Sequence, residues 1–198
     1  DDGFKNNYTD AFPILSEMNI PATFYVTTGF IDTDQMFWVD IIEDSINRTQ
    51  KDELTITLEG QIRHFPLNSN SLKIYAIQSV KGYCKKIKND EKNQIIRDLK
   101  EFTKVNVNVL SSDNYLKMTW DDISEINRHP LMTIGGHTIS HEILTSLSLE
   151  DMEMEVKQSI STLKSKCECP IRHYSYPEDQ ENHFNDEVID CLKESGIV

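Results

Sequence analysis

The chain switches repeatedly between two hydrophobic rhythms, and the switches predict its elements. Residues 8–18, YTDAFPILSEM, carry apolar positions at helical spacing, with Asn19 as a stop. PATFYVTTGF (21–30) is a nearly continuous apolar and β-branched run between Pro21 and Gly29, as a buried parallel strand requires. Helical spacing returns over 36–46 through Phe37, Ile41 and Ile42. LTITLEGQIRHFPL (54–67) alternates on both sides of Glu59-Gly60 and predicts a hairpin, followed by two amphipathic helices near 71–88 and 91–104.

From residue 118 the pattern predicts a short helix with Thr119 and Asp122 as a capping box, then a strand through LMTIGG (131–136). Ser148 is placed to cap a long helix over 149–165, whose inner stripe would be Leu149, Met152, Val156, Ile160 and Leu163. IRHYSYP (171–177) reads as a further strand, and DEVIDCLKESG as a helix stopped by Gly196. Strands alternating with helices imply parallel βαβ units, hence an α/β domain with its site at the C-terminal ends of the strands.

Length and composition narrow the classes. With 198 residues, 38% of them hydrophobic, the chain suits one globular domain over 1–198. A formal charge of −13 is opposite to that of a nucleic-acid binder, so no nucleic-acid partner is expected. No apolar run approaches the roughly 20 residues that span a bilayer. Cys84, Cys167, Cys169 and Cys191 include no CxxC pair, and reduced thiols are favoured. Neither compartment nor oligomeric state follows from these features.

Chemistry concentrates at three predicted strand ends. Asp1-Asp2-Gly3 pairs two carboxylates, one suited to a cation and the other to a proton. By itself such a pair is as well explained by a solvated surface. His137 and His141 are four apart after Gly135-Gly136; on a helical turn they would face one ion, whereas in a loop they would be solvated side chains. The two glycines would let the backbone turn tightly out of the sheet. YSYPED (174–179) alone would pass for core packing.

The order of these pieces resembles the polysaccharide deacetylase family, the NodB-homology domain of carbohydrate esterase family 4. Asp1-Asp2-Gly3 resembles the end of its Thr-Phe-Asp-Asp-Gly motif, His137-Thr-Ile-Ser-His141 its His-(Ser/Thr)-x-x-His motif, and Tyr174-Ser-Tyr-Pro177 its Phe-Ala-Tyr-Pro variant. GFIDTDQMFWVDIIE and the hairpin after it resemble the insertion of one subgroup. The resemblance implies a deformed (β/α) barrel with a helical and hairpin insertion around 36–115. It implies Asp1 as general base and Asp2, His137 and His141 as ligands of one divalent cation, zinc foremost, with cobalt, nickel, manganese or iron as alternatives. Tyr176, Pro177 and the backbone N–H of Glu178 would meet substrate and its oxyanion.

The implied reaction is hydrolysis of N-acetyl groups on an amino-sugar polysaccharide or glycolipid, with an acetylated carbohydrate as partner. An O-acetyl esterase would use the same site. Two departures support a further alternative, a catalytically impaired carbohydrate-binding or scaffold domain. Glu178 and Asp179 stand where the family carries an aromatic residue and glycine. The family's acid histidine and its strand before the Asp-Asp motif have no counterpart here, as in a domain trimmed at both ends, and His183 reads as a loop residue.

Overall fold

The computed structural model describes residues 1–178 and 182–198. They form two compact units: Asp1–Gln35 with Ser112–Val198, and Met36–Ser111.

The first unit is built on two parallel strands, β1 (Ala22–Val26) and β4 (Met132–Gly136), paired in register from Ala22 with Met132 to Val26 with Gly136. The β-rich run 21–30 thus pairs over only its first half. Thr27, Thr28 and Gly29 continue as a loop that lies against the chain leaving β4. Around the strands lie α1 (Phe12–Glu17), α5 (Trp120–Arg128), α6 (Leu149–Cys167) and α7 (Asp186–Glu194), numbered in chain order with the helices of the second unit between them.

Their apolar stripes meet in one core containing Phe24, Val26, Ile123, Ile134, Val156 and Leu163. The caps fall where the sequence puts them. Thr119 and Asp122 form a reciprocal capping box, and the Ser148 hydroxyl accepts from the Asp151 N–H. The stripe of α6 begins at Met152; Leu149, in the first turn with no earlier turn to cover it, is 62% exposed.

Two elements depart from the sequence reading. The helix expected over 8–18 opens as a π turn, Asn7–Ala11, before α1. Pro13 lacks an N–H for the carbonyl four residues back, and the turn ahead of it widens. The strand expected at 171–177 is reduced to one bridge, Tyr174 to Gly136. Gly136 N–H donates to His173 O and Ser175 N–H to Gly136 O, both at 2.9 Å. Pro170 and Pro177 bound the segment and have no N–H to extend the ladder.

The second unit corresponds to the expected helical and hairpin insertion. It contains α2 (Trp38–Arg48), the antiparallel hairpin β2 (Glu53–Leu58) and β3 (Gln61–Pro66), α3 (Asn70–Cys84) and α4 (Asn89–Thr103). Glu59 and Gly60 both have positive φ (55° and 68°), the two-residue turn that matches strand twist. Its own core gathers Ile42, Ile46, Leu54, Val80, Ile95 and Leu99.

All four cysteines are free, and three are buried. Burial pushes the Cys84 thiol up to about 11 and the Cys167 thiol up to about 12. The thiolate is the reactive form. Both should therefore resist a thiol reagent in native protein at pH 8 and react at once in denaturant. Rapid native labelling of Cys84 and Cys167, mapped by peptide mass spectrometry, would contradict their burial.

Candidate metal centre

The parallel pairing of β1 and β4 carries the ends of both strands to one edge, and the site forms there. His137 follows β4 directly, its N–H donating to Val26 O at 3.1 Å. Asp2 arrives from the chain start. Gly3 N–H closes a turn onto Asp1 O at 2.9 Å, and Gly3 O accepts from Met118 N–H at 2.8 Å.

Three side chains converge. Asp2 Oδ1 lies 3.1 Å from His137 Nε2 and 3.0 Å from His141 Nε2, and the two imidazole centroids are 4.9 Å apart. Asp2, His137 and His141 each offer a ligand atom within 4.8 Å of the others. Bonds of about 2 Å in tetrahedral geometry place neighbouring donors about 3.3 Å apart, so the two distances from Asp2 suit a small divalent cation. His137 is buried, while Asp2 and His141 are half-buried, so the cluster opens towards solvent on one side.

The electrostatics agree. Burial opposes ionisation of Asp2, but with the His137 and His141 rings protonated their hydrogen bonds and charge override it and hold the carboxyl well below the usual carboxylate range. His137 Nδ1 lies 2.6 Å from the Ser175 carbonyl, which can only accept. The ring's hydrogen is thereby fixed on Nδ1 and, in the neutral ring, the Nε2 lone pair faces Asp2.

The His-x-x-x-His segment is not a helical turn. Thr138 and His141 have positive φ, 66° and 59°, and external bonds hold the loop between them. From one side, Thr28 N–H donates to Thr138 O at 3.1 Å and Gly29 N–H to Ile139 O at 2.9 Å. From another, the Glu155 carboxylate on α6 accepts from the Ile139 and Ser140 N–H groups at 2.7 and 3.0 Å. Thr138 N–H donates to Tyr174 Oη at 2.8 Å. Inside the loop, His141 N–H donates to Thr138 Oγ1 at 2.9 Å. Asp2 (φ 71°) and Glu178 (φ 59°) are left-handed as well. Each such non-glycine residue costs roughly 1–2 kcal/mol, which the surrounding bonds offset.

The glycines before His137 act through space rather than turning. A Cβ on Gly135 would lie 2.5 Å from the Tyr25 ring, and one on Gly136 2.5 Å from the Tyr174 ring. Their missing side chains let tyrosines cover the strand. At Gly29 a Cβ would meet the Ile139 carbonyl oxygen at 2.5 Å, so this close approach of the two loops requires glycine at 29.

The other expected residues are placed less closely. Asp1 is exposed beside Asp2 in the opening turn. Tyr176 is half-buried and stacks on Phe184 with centroids 4.8 Å apart; Pro177 is buried and Glu178 half-buried. The segment meets the ligand set through Ser175, one residue before Tyr176. Asp179 lies outside the described residues. His173 is exposed and His183 sits in a bend before α7. Sequence reading missed Glu155 and the Ser175 carbonyl. A carboxylate beside Val156 on the inner stripe of α6 was the available signal for Glu155; a backbone carbonyl leaves none.

The family model for polysaccharide deacetylase matches residues 88–198, more than half of the chain. The chain belongs to the polysaccharide deacetylase family. His137 and His141 lie within the matched stretch, and Asp2 is brought to them by the fold. No curated protein matches the chain in sequence.

Among solved structures, it resembles IcaB from Ammonifex degensii at 14% identity and TM-score 0.52, over 100% of this chain and 55% of that one. It resembles the Streptococcus pyogenes deacetylase PplD in complex with acetate at 14% identity and TM-score 0.52, over 98% and 50%. A de-N-acetylase from Aggregatibacter actinomycetemcomitans is 16% identical with TM-score 0.52, over 99% and 58%. The chain thus spans about half the length of these structures. The likeness establishes the fold, the α/β deacetylase type expected from the motif order.

Gly136→Ala tests the packing under Tyr174. The added methyl must displace the ring whose hydroxyl receives Thr138, and an overpacked site of this kind costs about 1–3 kcal/mol. Urea unfolding should show that loss; an unchanged midpoint would mean the ring moves freely.

Proposed function

We propose that this chain is a metal-dependent de-N-acetylase domain, acting on an acetylated amino-sugar polysaccharide or glycolipid. The convergence of Asp2, His137 and His141 on one point, in a chain of this family, carries the reading. Asp2 Oδ1 and the two Nε2 atoms would hold the cation, and zinc suits an aspartate-histidine-histidine set that leaves further positions open. A bound divalent ion supplies Lewis acidity to the acetamide carbonyl and makes water a stronger acid.

Asp1 is the base. Beside Asp2 and exposed, it can take a proton from the attacking water without giving up a ligand. Water oxygen adds to the carbonyl carbon as its proton passes to Asp1, the C–N bond breaks as that proton is returned to the departing nitrogen, and acetate and the free amine leave. The Glu178 N–H donates to the oxyanion, with Tyr176 and Pro177 shaping that side of the site. An O-acetyl ester would be cleaved through the same steps, with an alcohol leaving in place of the amine.

The deciding measurement is metal content after zinc loading, for this chain and for the double variant His137→Ala/His141→Ala. About one ion per chain in the parent and none in the variant is expected; equal content would overturn the ligand assignment. Asp1→Asn should keep its zinc yet lose most turnover on acetylated amino-sugar oligomers, since it removes the base and spares the ligands. Full turnover in that variant would remove Asp1 from the mechanism. A parent that holds zinc but releases no acetate from N- or O-acetylated sugars would favour a binding domain instead.

A further inference from the structure

Glu155 is 6% exposed on the inner stripe of α6, among Met152, Val156 and Ile160. A carboxylate in such a stripe needs donors to replace water, and three come from the segment between the two histidines. Oε2 accepts from Ile139 N–H at 2.7 Å and Ser140 N–H at 3.0 Å, and Oε1 from the Ser140 hydroxyl at 2.5 Å. These residues lie between Thr138 and His141, the two left-handed positions that turn both imidazoles onto Asp2. An apolar residue at 155 would serve the α6 core but leave two backbone N–H groups unanswered and this turn unheld.

We propose that Glu155 is a positioning residue that presets the His137–His141 loop, so that both Nε2 atoms face the cation before it binds. The inference rests on the metal-site reading above and assigns Glu155 no contact with substrate. Its carboxylate acts through the backbone: it ties α6 to the loop, and the loop sets the distance between the imidazoles. Loss of its acceptor oxygens should free the loop to relax towards ordinary dihedral angles, moving His141 away from Asp2. Outer partners that orient metal ligands are commonly worth about 10–100-fold in metal affinity.

The test compares zinc affinity, by competition with a chromogenic chelator, in the parent, Glu155→Leu and Glu155→Gln. Melting of each metal-free protein is followed alongside. Leucine keeps the apolar stripe filled and removes the acceptors; glutamine keeps an oxygen able to receive both N–H groups. Zinc binding about 10–100-fold weaker in Glu155→Leu and within a few-fold of the parent in Glu155→Gln is the expected result.

A Glu155→Leu protein that melts lower but binds zinc as the parent does would make Glu155 merely structural and overturn the inference. Equal weakening in both variants would also overturn it, because acceptor geometry would then be irrelevant. Should Glu155→Leu fail to fold, Ser140→Ala removes one of the three donors and leaves α6 intact; a few-fold weaker affinity supports the inference and an unchanged one overturns it. A parent that takes up no zinc sinks the metal reading itself and this inference with it, an outcome distinct from a binding parent with an equally binding leucine variant.

Discussion

Two imidazoles meet one carboxylate here because the backbone between them is held in a shape it would not keep alone. Thr138 and His141 sit in left-handed conformations, and a β-branched threonine is a poor occupant of that region. The loop survives because its N–H and C=O groups are answered from separate parts of the fold: Thr28 and Gly29 beyond β1, Glu155 on α6, and Tyr174 beside β4. The parallel pairing of β1 with β4 makes the first of these possible, since it ends both strands at one edge. The hydrogen bond from His137 Nδ1 to Ser175 O then directs the remaining ring nitrogen at Asp2.

The same arrangement explains where small residues are required. Gly29, Gly135 and Gly136 are points of close approach, two of them beneath tyrosine rings and one against the Ile139 carbonyl. Tyr174 links these features. Its ring covers Gly136, and its hydroxyl accepts from Thr138 N–H and meets Ser159 Oγ at 3.1 Å. Burial pushes its phenol well above the ordinary range, so it serves as a neutral hydrogen-bonding group at any ordinary pH. Packing and polar satisfaction therefore converge on the same few side chains, and the candidate cation site is braced without being wholly buried.

Much of the fold was legible in the residues because it depends on local chemistry. The Thr119 and Ser148 caps, the Glu59-Gly60 turn and the stripe from Met152 to Leu163 each follow from neighbours within a few positions. Apart from the π turn ahead of Pro13, readings failed where a distant partner intervened. The run 171–177 has strand composition, yet the prolines that bound it and the docking of Val198 N–H on Arg172 O leave one bridge to Gly136. The histidine spacing fits a helical turn equally well, and only bonds from remote segments select the irregular loop instead.

By itself, the sequence determined the order of most elements, an insertion around residues 36–115, and which residue types could serve a cation and a proton. Spacing and capping encode these, and the family's motif order carries the rest. Tertiary structure alone decided that Asp2, more than 130 positions from His137, shares one oxygen between two rings. It also decided that Glu155, Tyr174 and the Ser175 carbonyl stand behind those rings. The physical reason is that a ligand's direction depends on which buried N–H and C=O groups meet across the chain, and that pairing has no local period to read.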